Sequence, residues 1–270
     1  MQEKYSMIEN KKEFKLIKEK NPKSLLPNTL TIIGVCLGLS SIKFAIDLNY
    51  SMAVFAIGIA AILDTLDGRV ARLIKGTSKV GKELDSLTDV ISFGVAPSFI
   101  MYFWTINEIG KFGWMLVLLY SVCCALRLAR FNLTTIEEKE SWKINFFEGI
   151  PSPAAAGLIL LPLILNLSSI IQVENTKIIS SIVIIIVSLL MVSKIPTYSL
   201  KRIAIPRSLT AFLLLSIGIY LGLLIFYTFE ILFFTGVVYI ILIPISFLHY
   251  RSLRKNFTTQ SEEEDTEDIL

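Results

Sequence analysis

Long apolar runs recur along the chain, at about residues 28–47, 51–74, 84–105, 112–131, 153–173, 177–193, 208–228 and 230–250. Each is near the roughly 20 residues a helix needs to cross the hydrocarbon core of a bilayer. They predict an all-α fold, a polytopic transmembrane helix bundle of about eight spans. The run at 177–193 is short, and only a tight turn near Thr228–Glu230 separates the last two. A hydrophobic content of 53% over 270 residues and a mean hydropathy of +0.64 place the chain outside the range of soluble domains. The runs are too many for one signal peptide, and residues 1–24 are Lys-rich without an apolar core.

The basic residues set the orientation. With an even number of spans, one side holds all of the 26 Lys and Arg residues except Lys43, Lys111 and Lys177. That side is expected to be the cytoplasm, with both termini on it, and the membrane to be the cell inner (cytoplasmic) membrane. Three segments follow: a basic juxtamembrane stretch 1–24, a transmembrane catalytic domain 25–250, and a charged tail 251–270 expected to be disordered. The first stretch reads equally as an interfacial amphipathic helix on anionic lipid or as a solvated basic tail. The tail ends in the acidic run SEEEDTEDIL and reads as solvated.

Against this apolar background the stretch DTLDGRVARLIKGTSKVGKELDSLTD, from Asp64 to Asp89, stands out. A carboxylate at the centre of a membrane helix costs roughly 3 kcal/mol, so Asp64, Asp67, Asp85 and Asp89 need cations, water or both. Asp64, Gly68 and Arg72 are four apart and form one helical column, with Asp67 and Ala71 beside it. Asp85 and Asp89 share a face of the next helix. The linker is short, so the two helices are expected to be antiparallel neighbours with facing carboxylates. Such a cluster suits a pair of hard divalent cations, Mg²⁺ or Mn²⁺. Gly68 and Ala71 leave room beside the backbone, and Arg72 can meet a phosphate.

Written as a pattern, the stretch is D-x2-D-G-x2-A-R-x8-G-x3-D-x3-D, with Gly81 at the second glycine. It resembles the signature of the CDP-alcohol phosphatidyltransferase family. LPNTLT at 26–31 looks like the start of that family's first helix. ALRLARFN at 125–132, FEGIPSPAAAG at 147–157 and SKIPTYSLKR at 193–202 resemble its phosphatidylserine synthase branch. The resemblance implies transfer of the phosphatidyl group of CDP-diacylglycerol to L-serine, giving phosphatidylserine and CMP. It also implies membrane lipids as surroundings and a homodimer. No nucleic-acid partner is expected.

On that resemblance, Asp64, Asp67, Asp85 and Asp89 hold the divalent cations, two per site. A serine hydroxyl needs a base, and Asp89 is the choice, although Asp85 can exchange with it on spacing alone. Asn28, Thr31, Gly68, Ala71, Arg72 and Gly81 are expected against CDP-diacylglycerol. Arg127, Arg130, Asn132 and Ser152 are expected against serine, Ser152 opening a helix whose N-terminus favours anions. The two arginines read alternatively as positive-inside anchors, and Lys194 and Lys201 are further candidates.

Two other functions stay open. One is the same chemistry with another alcohol, glycerol phosphate or inositol phosphate. The other is a divalent-cation transporter, which would want acidic groups or broken helices across the midplane. Spacing decides neither between direct attack and a phosphatidyl-enzyme intermediate, nor between Mg²⁺ and Mn²⁺. Cys36, Cys123 and Cys124 read as inert packing thiols. His249 is the lone histidine and sits at a helix end, so no Ser-His-Asp or Cys-His arrangement can be built without it.

Overall fold

The computed structural model describes residues 25–74, 79–134, 146–168, 170–171, 174–198 and 209–267. The basic segment 1–24, and with it Lys75, Lys139, Lys143, Lys201, Arg202 and Arg207, lie outside the described residues.

Helix α1 (Leu25–Ile46) opens the bundle and turns back into α2 (Tyr50–Leu73), whose first turn is capped by the Asn49 side chain on the Met52 amide at 3.2 Å. The buried face of α1 is made of small residues: Pro27, Thr31, Gly34, Gly38, Ser41 and Ala45. Small residues let membrane helices approach closely. A Cβ on Gly38 would lie 2.9 Å from the Ser92 Cα, and the Ser92 hydroxyl donates to the Gly34 carbonyl at 3.2 Å. Helix α1 therefore packs on α2 and also on the whole next span.

That next span is interrupted. Helix α3 (Lys79–Asp89) passes into a π-helical turn, Val90–Val95, and then α4 (Ala96–Trp104). Pro97 has no amide to donate to the Phe93 carbonyl four residues back. The buried Tyr120 hydroxyl donates to that oxygen instead, at 3.0 Å. The Ser98 hydroxyl reaches the Gly94 carbonyl at 3.1 Å. The widened turn is thereby satisfied from its own span and from α5 (Lys111–Thr134), which packs against it.

The remaining helices are α6 (Ser152–Ile159), α7 (Leu161–Leu167), α8 (Thr176–Val192), α9 (Thr210–Phe226) and α10 (Thr228–Glu267). Strands β1 (Phe146–Glu148) and β2 (Pro196–Tyr198) pair antiparallel, Phe146 opposite Tyr198. The core lies where α2, α4, α5, α6 and α8 meet, around Ile57, Phe93, Tyr120, Ile159 and Ile184. At one end of the bundle the Tyr50 hydroxyl donates to the Phe103 carbonyl at 3.0 Å, and Thr105 and Thr176 share a hydroxyl contact of 3.1 Å.

The all-α membrane bundle stands, with differences in detail. Among the described residues five helices are long and apolar enough to span a bilayer: Leu25–Ile46, Tyr50–Leu73, Val80–Trp104, Lys111–Leu133 and Thr228–Leu253. Helices α8 and α9 are shorter. The span expected at 153–173 is broken at Leu160 into α6 and α7, because Pro162 withholds the amide that would continue the ladder. The expected direct pairing of the two aspartate-bearing helices is slight, since α1 packs against both. Helix α10 runs on through the charged stretch from residue 251 to Glu267. No Gly or Pro follows Pro244 in this helix, and Glu, Lys, Arg and Gln are good helix formers.

Candidate active site

Asp64 and Asp67 sit on the last turns of α2, and Asp85 on α3. One carboxylate oxygen from each lies within 4.8 Å of the other two. Asp67 is buried, the others half-buried. The Thr31 hydroxyl, on α1, lies 2.6 Å from Asp67 Oδ2 and 3.0 Å from the Pro27 carbonyl. Three clustered carboxylates repel one another unless a cation sits among them, and an all-oxygen donor set at this spacing fits a hard divalent ion. The neighbouring Thr31 is the kind of outer partner that fixes how a ligating carboxylate points.

Around this trio the other nucleotide-side candidates are dispersed. Asn28 is half-buried one turn before Thr31. Gly68 faces open space, with nothing within 4 Å of a Cβ built on it. Arg72 is exposed and lines a shallow groove with Arg69 and Leu73 at the end of α2. Ala71 and Gly81 are half-buried.

Asp89 lies outside the trio, one turn further along at the edge of the π-helical turn. Its electrostatic neighbours are Asp64, Asp85 and Arg127. The Ser152 hydroxyl donates to Asp89 Oδ2 at 3.3 Å and accepts from Arg127 Nη1 at 3.1 Å. Arg127 and Ser152 are both buried, at 7% and 1% exposure, and Asp89 is half-buried. Phe131, one turn on, lies over the guanidinium at 5.9 Å.

Arg130 has partners different from those of Arg127. It donates to the Val192 carbonyl at 2.8 Å and to the Ser193 carbonyl at 3.0 Å, so it caps the C-terminus of α8. Asn132 donates to the Ser86 hydroxyl at 2.9 Å, tying the end of α5 to α3. Gly149 adopts φ +74 beside the same α8 terminus, where a Cβ would meet the Met191 carbonyl at 2.6 Å. Its amide donates to the Ile195 carbonyl at 2.9 Å, and the Thr197 hydroxyl donates to the Gly149 carbonyl at 2.7 Å. The three stretches RLARFN, EGIPSPAAAG and SKIPTY are thus hydrogen-bonded to one another beside Asp89.

Residues that sequence reasoning missed include Ser86, Thr197 and Tyr239; each carries a hydroxyl in a stretch read for other features. His249 pairs its Nδ1 with the Tyr198 hydroxyl at 2.9 Å and packs edge-on to Phe146, which holds β2 to α10. Cys36, Cys123 and Cys124 are free.

A helical membrane bundle with clustered aspartates and a buried arginine at one end has the marks of a functional site built among its spans. The family model for CDP-alcohol phosphatidyltransferases matches residues 24–248, and the chain belongs to that family. It is 34% identical over 230 residues, 85% of this chain and 76% of the other, to the CDP-diacylglycerol–serine O-phosphatidyltransferase of Mycobacterium leprae. It is 42% identical over 183 residues to the protein of that name in Helicobacter pylori, covering 68% of this chain and 76% of the other. With the Methanocaldococcus jannaschii protein of the same name it shares 34% identity over 174 residues, 64% of this chain and 74% of the other.

Proposed function

We propose that this protein transfers the phosphatidyl group of CDP-diacylglycerol to the hydroxyl of L-serine, releasing phosphatidylserine and CMP. The observation that carries the reading is the adjacency of two sets of side chains. The Asp64, Asp67 and Asp85 oxygens lie within 4.8 Å of one another, and Asp89 is joined through Ser152 to the buried Arg127. The relatives bearing the same enzyme name support serine as the acceptor.

Asp64, Asp67 and Asp85 would hold divalent cations, Mg²⁺ or Mn²⁺, with Asp89 able to complete a two-ion site. Cations held by these carboxylates would supply positive charge to offset the pyrophosphate and the charge developing on the departing CMP. Asp89 accepts the proton of the serine hydroxyl as its oxygen bonds to the phosphatidyl phosphorus and the bond from phosphorus to the CMP oxygen breaks. Ser152 holds Asp89 by one oxygen and leaves the other to the hydroxyl. Arg127 offers its charge to the serine carboxylate. Arg130 and Asn132 border this side of the site, and Asn28, Thr31, Gly68, Ala71, Arg72 and Gly81 border the CDP-diacylglycerol side. Transfer in a single step needs no covalent enzyme intermediate. The active end faces the cytoplasm, from which serine enters and into which CMP leaves. Both termini share that side of the cell inner membrane, and two copies associate as a homodimer.

The test is a purified protein given CDP-diacylglycerol with labelled serine, glycerol phosphate or inositol phosphate in separate reactions. Phosphatidylserine as the only lipid product, with CMP released only when serine is present, is the expected result. Faster product formation with either phosphorylated alcohol would overturn the choice of acceptor.

A further inference from the structure

Buried polar atoms in folded proteins nearly always have partners, so an orphan needs a reason. Among the described residues six buried side-chain atoms lack a hydrogen-bond partner, and three of them, Asp89 Oδ1, Arg127 Nε and the Tyr239 hydroxyl, belong to side chains that are electrostatic neighbours. Asp89 and Arg127 are bridged by Ser152. Tyr239 arrives from α10, more than a hundred residues later in the chain. It packs on the core with Arg127 and Thr197 as its polar neighbours. Thr197 donates its hydroxyl proton to the Gly149 carbonyl at 2.7 Å, so toward the tyrosine its oxygen can only accept, and the Tyr239 hydroxyl is in no hydrogen bond of good geometry with it.

We propose that Tyr239 and Arg127 together bind the carboxylate of the acceptor, making Tyr239 a specificity-determining residue for an alcohol that carries a carboxylate. The inference rests on the serine-transfer reading above. The unused groups are two donors, Arg127 Nε–H and Tyr239 O–H, and one acceptor, Asp89 Oδ1. Two donors match the two oxygens of a carboxylate, and the acceptor matches a hydroxyl proton. A phosphorylated alcohol brings a dianion with three terminal oxygens. One buried guanidinium, already shared with Asp89, and one neutral phenol leave such a group short of charge and of donors. Neither half of the clamp is visible from the other in sequence, because α5 and α10 meet only through the fold.

The experiment uses the full chain in lipid nanodiscs and the variant Tyr239→Phe, which removes one oxygen and keeps the ring. The apparent KM for serine is expected to rise about tenfold, the loss of one hydrogen bond to a charged group. The KM for CDP-diacylglycerol and kcat should stay within about twofold, as for a lost ground-state contact. Preference for serine over 2-aminoethanol, which lacks the carboxylate, should narrow in the variant. With the unaltered protein, serine methyl ester should be a poor acceptor. An unshifted serine KM in Tyr239→Phe, or an ester used as well as serine, would overturn the clamp. So would an equal loss for both substrates accompanied by a lowered melting temperature. A wild-type protein that makes no phosphatidylserine would instead sink the activity reading itself, and the two failures are told apart by the wild-type rate.

Discussion

The Tyr120 hydroxyl donates to the Phe93 carbonyl at 3.0 Å and so replaces the amide that Pro97 lacks. The bond crosses from α5 to the turn that follows Asp89. Tyr120→Phe leaves that buried oxygen without a partner, at a cost of about 1–3 kcal/mol. A lowered melting temperature in detergent is the expected result, with activity reduced because Asp89 rides on the same turn. An unchanged melting curve would mean that the carbonyl finds another donor.

The Thr31 hydroxyl sits 2.6 Å from Asp67 Oδ2, outside the proposed cation ligands. Thr31→Val keeps the shape and removes the contact. Outer-shell losses of this kind weaken metal affinity by roughly 10–100-fold. The Mg²⁺ or Mn²⁺ concentration giving half-maximal CMP release should rise accordingly, while the rate at saturating cation changes less. A titration that overlays the wild type would assign Thr31 to packing alone.

Chelation tests the trio directly. EDTA should stop phosphatidylserine formation, and either Mg²⁺ or Mn²⁺ should restore it, because the ligands are all carboxylate oxygen. Activity that survives exhaustive chelation would separate the aspartates from the chemistry.

Asp89→Asn keeps the volume and the hydrogen bond from Ser152 but cannot take a proton. Turnover should fall about 10²–10⁴-fold, the usual contribution of a positioned base. Binding of CDP-diacylglycerol, read by its stabilisation of the purified protein, should persist. A variant with wild-type turnover would pass the role to Asp85.

The two arginines of α5 should behave differently. Arg127→Ala strands Ser152 and Asp89 in a buried setting and should raise the serine requirement far more than the lipid requirement. Arg130→Ala uncaps α8, so a lower melting temperature with a smaller kinetic change is expected. The measurement is a serine titration alongside a thermal melt for each variant, and identical profiles would refute the distinction.

The aspartate trio was legible because i, i+3 and i+4 spacing fixes which side chains share a helix face, and the apolar runs announced their helices by length. Spacing alone says less about Arg127 and Arg130. Residues three apart still differ by about 60° around a helix, enough here for one to turn to Ser152 and the other to the end of α8. The three-residue strands were too short to leave an alternating pattern. The break at Leu160 was hidden because proline is tolerated in membrane helices, so Pro162 alone did not forbid a continuous span. Tyr239 was invisible because an aromatic ring in an apolar run reads as packing, and its hydroxyl acquires meaning only beside Arg127.

The bare inner face of α1 has a mechanical corollary. Gly38 has nothing left to trim, so replacement there can only add atoms and wedge α1 away from the span it touches at Ser92, whereas a Cβ on Gly34 would meet Thr88 at an ordinary 3.7 Å. Thr31 sits on the same rigid rod, two helical turns from Gly38. A single methyl group placed deep in the bilayer would therefore act as a lever on the far end, tilting the hydroxyl that steadies Asp67.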